Sequence, residues 1–209
     1  MTVASPAVAA AYAANFRELW DGGQVEGTGE HDTAATPVGD ATVRPWFCPG
    51  RGEALAARIA EAVDGARRRV RIASPVLTAV PILEALDRRG TAGDLDVAGV
   101  CDATQIHQVF GQWAANPQAA FKGPLLRRVL GSAHFTGKRS TPYAPGAVHD
   151  YMHAKVTVVD DTVFCGSFNL SRSGQENAEN VLEVHSPAVA DRLAAFVDEA
   201  RARYPDPPR

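Results

Sequence analysis

The sequence predicts an α/β layered domain built on a parallel or mixed sheet. Two observations carry that reading. From residue 42 onward, short strand-like runs alternate with segments of helical period, the order that lays helices against a sheet. Apolar residues make up 45% of the 209 residues and charged residues 22%. The chain therefore has material for a buried core and is unlike a disordered, self-solvating segment.

The elements follow in order. Ser5 to Trp20 opens on Ser-Pro, a cap and a first-turn proline, and carries apolar residues at helical spacing, which predicts a helix. Residues 21–41 are rich in Gly, Thr, Asp and Ala without a period and are expected to be a linker. Thr42 to Phe47 is strand-like, although Pro45 demotes it to an edge or a broken strand. Gly52 to Arg67 is helical, Arg69 to Ala73 a strand, Ala79 to Arg89 helical, and Leu95 to Cys101 a strand. Residues 103–130 read as mostly helical, with Trp113 and Phe110 as core or interface anchors. A loop from Gly137 to Gly146 leads into Met152 to Val159, where the β-branched Val156, Val158 and Val159 favour a strand. A second short strand ends at Cys165, a third runs from Val181 to Val184, and Pro187 to Tyr204 forms a closing helix. The expected organisation is a helix over 1–20, a linker over 21–41 and one domain over 42–205.

The composition excludes several classes. The formal charge of −3 argues against nucleic-acid binding through a global positive field, while leaving room for a local basic groove. No apolar run approaches the ~20 residues that span a bilayer, so no stable membrane insertion is expected. A charged n-region followed by an apolar stretch is missing from the N-terminus. Cys48, Cys101 and Cys165 are odd in number, far apart and without CxxC spacing. That fits neither a disulfide framework nor a zinc cluster and points to a cytoplasmic protein.

One internal repeat stands out. Ser-Pro-Ala-Val-Ala at 5–9 recurs at 186–190, and Ala13, Ala14 and Glu18 align with Ala194, Ala195 and Glu199. Two alanine-rich helices can agree by chance, but five consecutive identities at a helix start favour duplication. On that reading the chain opens with the last helix of one lobe and continues with a complete second lobe.

The chemistry concentrates in Tyr151 to Asn180, which reads YMHAKVTVVDDTVFCGSFNLSRSGQENAEN. In a strand, residues two apart share a side, so His153 and Lys155 are expected to project together. A tight approach at Gly166 then brings Ser167 and Asn169 toward the same place. An imidazole, an ammonium, a hydroxyl and a carboxamide suit a phosphodiester: a nucleophile, a fixed positive charge and donors for oxygens that gain charge. Glu179 is a candidate to accept a hydrogen bond from His153 Nδ1, fixing the tautomer and leaving Nε2 to attack.

His153-x-Lys155-x4-Asp160, Gly166-Ser167-x-Asn169 and Asn177-Ala178-Glu179-Asn180 together resemble the HKD signature of the phospholipase D superfamily, specifically the C-terminal half of a two-lobe member. The likeness extends over residues 42–204. It implies a phospholipase D-like α/β/α sandwich lobe with a mixed central sheet, preceded by a helix and linker. It also implies a metal-free, cofactor-free phosphodiesterase in which His153 forms a phosphohistidine. Lys155, Ser167 and Asn169 match phosphate-binding positions, Glu179 the acidic residue orienting the His, and Asp160 the motif Asp, expected to be structural or to support the site without touching the substrate; Gly166 supports the motif turn. The spacing from Asp160 to Gly166 is one residue shorter than the family's common pattern. The family's site pairs two motifs, one His attacking and the other protonating the leaving oxygen. This chain holds one, so the resemblance implies a homodimer or a partner lobe as the source of the second His. It implies a phosphodiester substrate and leaves phospholipid hydrolysis or phosphatidyl transfer beside nucleic-acid cleavage, or a non-catalytic phosphate-binding half-protein.

Rival readings attach to neighbouring residues. His149-Asp150-x-x-His153 has the spacing of a helical zinc pair, but the preceding Pro-Gly and the following β-branched run favour loop then strand, leaving His149 at a pocket rim. His31, His107, His134 and His185 carry no partner pattern. Lys122, Arg127, Arg128, His134, Lys138 and Arg139 gather positive charge ahead of the motif, as a solvated face or as a border of the site. Asp102, at a strand end, reads as a helix cap.

Overall fold

The computed structural model describes residues 2–208. Its elements, in chain order, are α1 (Pro6–Gly22), β1 (Thr36–Val38), β2 (Ala41–Phe47), α2 (Gly52–Asp64), β3 (Arg69–Ser74), α3 (Val80–Ala92), β4 (Asp96–Asp102), α4 (Ala103–Ala114), α5 (Lys122–Ser132), β5 (Phe135–Lys138), β6 (Val156–Val159), β7 (Thr162–Gly166), α6 (Arg172–Glu176), β8 (Asn180–His185) and α7 (Pro187–Arg203). The eight strands form one sheet in the order β1-β2-β8-β7-β6-β3-β4-β5. β3, β4 and β5 pair parallel, and the other neighbours pair antiparallel.

The strand alternation produces the layers. Along β7, Val163 turns to a cluster with Val8, Val184, Ala190 and Ala194, whereas Phe164 turns to the other face with Leu55, Ile59 and Ile82. The larger core is filled from α2, α3 and α5 through Leu55, Val63, Leu83, Leu86, Leu126 and Val129. The second face is covered by α7 and α1. Helices on both faces of a mixed sheet give the α/β/α sandwich expected from the sequence.

The repeated helix starts behave alike. Ser5 accepts from the Val8 N–H and Ser186 from the Val189 N–H, and each is followed by proline in the first turn. Both helices lie on the same face of the sheet, with Val8 of α1 and Ala190 of α7 in one cluster.

Four differences from the sequence reading have physical causes. Residues 21–41, read as linker, contain β1, which forms a hairpin with β2. The preceding stretch is also tied down: the Gly29 N–H donates to Glu18, and the Gly50 N–H donates to the Thr28 carbonyl. β2 is an interior strand, and Pro45 is accommodated because β1 pairs only as far as Val43. β5 and α6 are too short to show a period and depend on partners distant in sequence. The strand expected over Met152–Val159 is regular only from Val156, so His153 and Lys155 stand on the loop that leads into β6.

Candidate active site

The site forms where β4 ends, α4 begins and the 139–155 loop returns to β6. His153 is exposed, at the border of an open cleft of about 510 Å³ that it shares with Asn169, Ser171 and Ser173. The facing wall is α4, whose Gln105, Gln108 and Gln112 present a line of carboxamides beside Trp113. These residues recur at i, i+3 and i+7, one side of a helix. On the α7 side His153 also borders a second hollow of about 340 Å³ with Lys138, Phe196 and Arg203. The imidazole thus sits on a ridge with open space on two sides.

The other motif residues fall into distinct places. Lys155 is half-buried, and its Nζ donates to the His153 carbonyl oxygen at 3.0 Å. Burial pushes the ammonium pKa below its ordinary value, and the negative charge of Glu179 partly offsets this. An ammonium has three protons to donate; one meets the His153 carbonyl, and Lys155 lines a small separate hollow with Gly166 and Phe168 rather than either of the hollows that His153 borders. Asn169 reaches the cleft. Ser167 is a strand tie: its Oγ accepts from the Asn180 N–H at 3.0 Å and from Asn180 Nδ2 at 3.4 Å, and its N–H donates to the Asn180 carbonyl. Asn180 is in turn held by the Tyr12 hydroxyl, which donates to its Oδ1 at 3.0 Å. Burial and the charge of Cys165 push the Tyr12 phenol up to about 12.

Glu179 does not make the predicted bond. Among the described residues, no hydrogen bond joins it to His153. Its carbonyl accepts from the Cys48 N–H, and its carboxylate acts on Lys155 and on the Cys48 thiol, which burial first and Glu179 second push up to about 12. Asp160 lies at the opposite end of β6 from His153 and accepts from the N–H groups of Arg67, Arg68 and Arg69. Gly166 is required by crowding, since a Cβ there would collide with the Asn180 carbonyl oxygen. Gly174 meets the same limit against the Asn169 carbonyl.

Residues outside the motif complete the site. Asp102 caps α4, as its position at a strand end suggested, and also accepts from Ser140 Oγ and the Met152 N–H. Trp113, read as core or interface, lines the cleft with Lys122 Nζ 5.8 Å from its ring. Residues 149–153 are not helical, so the His149–His153 pair lacks the geometry of a helical zinc site. His149 instead lies between the Tyr143 and Tyr151 rings, at 5.2 and 5.8 Å. The basic stretch disperses. Arg128 pairs with Asp87, Arg127 covers Phe110 and Lys138 faces Asp150, while Lys122 borders a neighbouring cleft of about 730 Å³.

A mixed α/β/α sandwich with His153 and Asn169 on a cleft at the end of its sheet is the arrangement expected of a phospholipase D-type lobe. Residues 59–200 match the family model described as "Cardiolipin synthase, PLD-like domain". The chain belongs to this phospholipase D-like family. Among solved structures, it is similar to NucT from Helicobacter pylori (19% identity, TM-score 0.58, covering 77% of this chain and 95% of that one). It is also similar to Nuc of Salmonella typhimurium, a phospholipase D family member (22% identity, TM-score 0.54, 77% and 93%). A third similar structure is phosphatidylserine synthase of Haemophilus influenzae Rd KW20 (16% identity, TM-score 0.53), of which the match covers 38% against 80% of this chain. These likenesses establish the fold. No curated protein sequence matches the chain.

Proposed function

We propose that this protein is a phosphodiesterase that works through a phosphohistidine on His153. The observation that carries the reading is the exposed imidazole beside Asn169 on an open, polar cleft, with the Lys155 ammonium held against its backbone. His153 Nε2 attacks phosphorus, forming an N–P bond as the P–O bond to the leaving group breaks. A second histidine gives that oxygen its proton, then takes one from the water or alcohol that attacks the phosphohistidine and restores the free ring. Lys155 and Asn169 donate to the non-bridging oxygens as their charge grows. Glu179 acts on the site through Lys155 and the local field. The second His comes from a second copy of the chain or from a preceding lobe. The matching Ser5 and Ser186 caps support descent from a duplicated protein.

The substrate reading is a phospholipid, hydrolysed or used for phosphatidyl transfer. Its support is the surface around the site: Tyr143 and Val148, on the loop that carries His153, are 70% and 75% exposed, and Phe121 projects beside Lys122 at the neighbouring cleft. Apolar side chains standing out around a polar cleft suit a lipid surface with the head group inside. A nucleic-acid substrate has separate support in the amide and aromatic lining around Trp113, where bases stack without sequence preference. Parallel assays on phosphatidylcholine vesicles, single-stranded DNA and bis(p-nitrophenyl) phosphate separate the two. In reactions quenched with alkaline detergent, which spares an N–P bond, a covalent phosphoenzyme is expected that vanishes in His153→Ala and persists in His149→Ala. Activity retained by His153→Ala, or lost on chelation of metal, would overturn the mechanism.

A further inference from the structure

We propose that Asp102 is the positioning residue for His153, acting through the backbone of the 139–155 loop. The proposal rests on the reading of His153 as the nucleophile and extends it to what aims the ring. Asp102 ends β4 and is 0% exposed. A carboxylate withdrawn from water persists only where donors meet its oxygens, and here the donors come from three separate segments. Oδ1 accepts from the Gln105 N–H at 3.0 Å and from Ser140 Oγ at 2.8 Å; Oδ2 accepts from the Met152 N–H at 3.0 Å.

A helix cap needs only the first of these bonds, together with the attraction of a negative charge to the start of α4. The other two hold the loop at both ends, at Ser140 and at the residue immediately before His153. Thr104, in the first turn of α4, reinforces the first anchor by donating to the Ser140 carbonyl at 2.7 Å and accepting from its N–H at 3.1 Å. Between the anchors, the Thr141 N–H donates to Asp150 at 2.7 Å, and the Tyr143, His149 and Tyr151 rings lie side by side. The direction of the imidazole is therefore referred, through one peptide unit, to a rigid buried carboxylate at the sheet's end.

The test is Asp102→Asn beside Ser140→Ala. Asparagine keeps one oxygen for the α4 cap and the Ser140 hydroxyl but turns an amide N–H toward the Met152 N–H, releasing that anchor alone. A displacement of about 1 Å in a reacting group costs on the order of 100-fold in rate. The expected result for Asp102→Asn is a kcat on bis(p-nitrophenyl) phosphate lowered by about that factor, with KM little changed. Backbone amide exchange should accelerate across 139–155 while α2 and α7 keep wild-type protection. Ser140→Ala should show a smaller loss of the same pattern, and it carries the test if Asp102→Asn does not fold. Unchanged exchange in the loop, an unchanged kcat, or a loss accompanied by faster exchange throughout the domain would overturn the proposal. If the wild-type chain turns over no phosphodiester, the functional reading fails by itself, and loop exchange still decides whether Asp102 orders the segment.

Discussion

Asp160 shows how much structure one side chain can organise away from the chemistry. Its φ of 51° lies in the left-handed region, which Asp and Asn tolerate better than most residues. Its carboxylate gathers the N–H groups of Arg67, Arg68 and Arg69 where the chain enters β3. Burial alone would raise its pKa, but those three donors and the Arg68 charge outweigh it and hold the carboxyl below the ordinary range. A depressed carboxylate stabilises the fold above the unfolded value of about 3.9, and that contribution is lost as pH falls through the folded value. Asp160→Asn is expected to cost about 1.5–3 kcal/mol at neutral pH. In urea titrations its deficit relative to wild type should shrink as pH is lowered past 4 toward 2, while residual phosphodiesterase activity per folded molecule is retained. Both this residue and Asp102 were legible in part. The family resemblance implied a structural or supporting Asp160, and a strand end suggested a capping Asp102. The partners of Asp102 at Ser140 and Met152 were hidden, since they lie 38 and 50 residues away and have no local pattern.

The turn from β7 toward α6 shapes the site by close packing. Gly166 pairs with Val181, and its bare Cα sits against the Asn180 carbonyl. Gly166→Ala should push β7 from β8 at the point where Ser167 is tied to Asn180. The expected cost is about 1–3 kcal/mol from overpacking. Activity should fall further than this destabilisation explains, because Asn169 follows on the displaced strand end; comparing urea midpoints with kcat checks both. The elements with strong period or β-branched runs, α2, α3, β3, β4 and α7, emerged from the sequence within a few residues. β1, β5 and α6 did not, because three to five residues carry no period and are defined by what they pair with or cap. The same limit explains why His153 and Lys155 were placed in a strand: the β-branched run that signals β6 begins only at Val156, and among the described residues those just before it join no ladder beyond a bond from the Gly166 N–H to the Lys155 carbonyl.

At the scale of the whole molecule, the proposed mechanism calls for two histidines, and the motif in this chain supplies one. If the second belongs to a second copy, specific activity should fall on dilution in step with dissociation measured by sedimentation. Mixing wild-type and His153→Ala chains should then poison activity, because a mixed pair keeps one ring only. A monomer with full, concentration-independent turnover would exclude that arrangement. The composition, the layered order and the HKD set were readable from the sequence. The open hollow on the α7 side of His153, bordered by Lys138 and Arg203, was not, because it is assembled from residues brought together only by the sheet.

The floor of the main cleft and its loop wall are fastened very differently. A single backbone oxygen, that of Leu170, accepts from both the Thr78 and Ala79 N–H groups at 2.7 and 2.9 Å, and Leu77 and Leu170 form a β-bridge beside it. This rivets the start of α3 to the segment just after Asn169, so the base of the trough has little freedom to spread. The opposite bank, between Arg139 and Tyr151, hangs instead on side-chain bonds from Asp102, Thr104 and Asp150, so single substitutions can loosen that bank, whereas side-chain changes at Thr78 or Ala79 leave the backbone bonds of the floor in place.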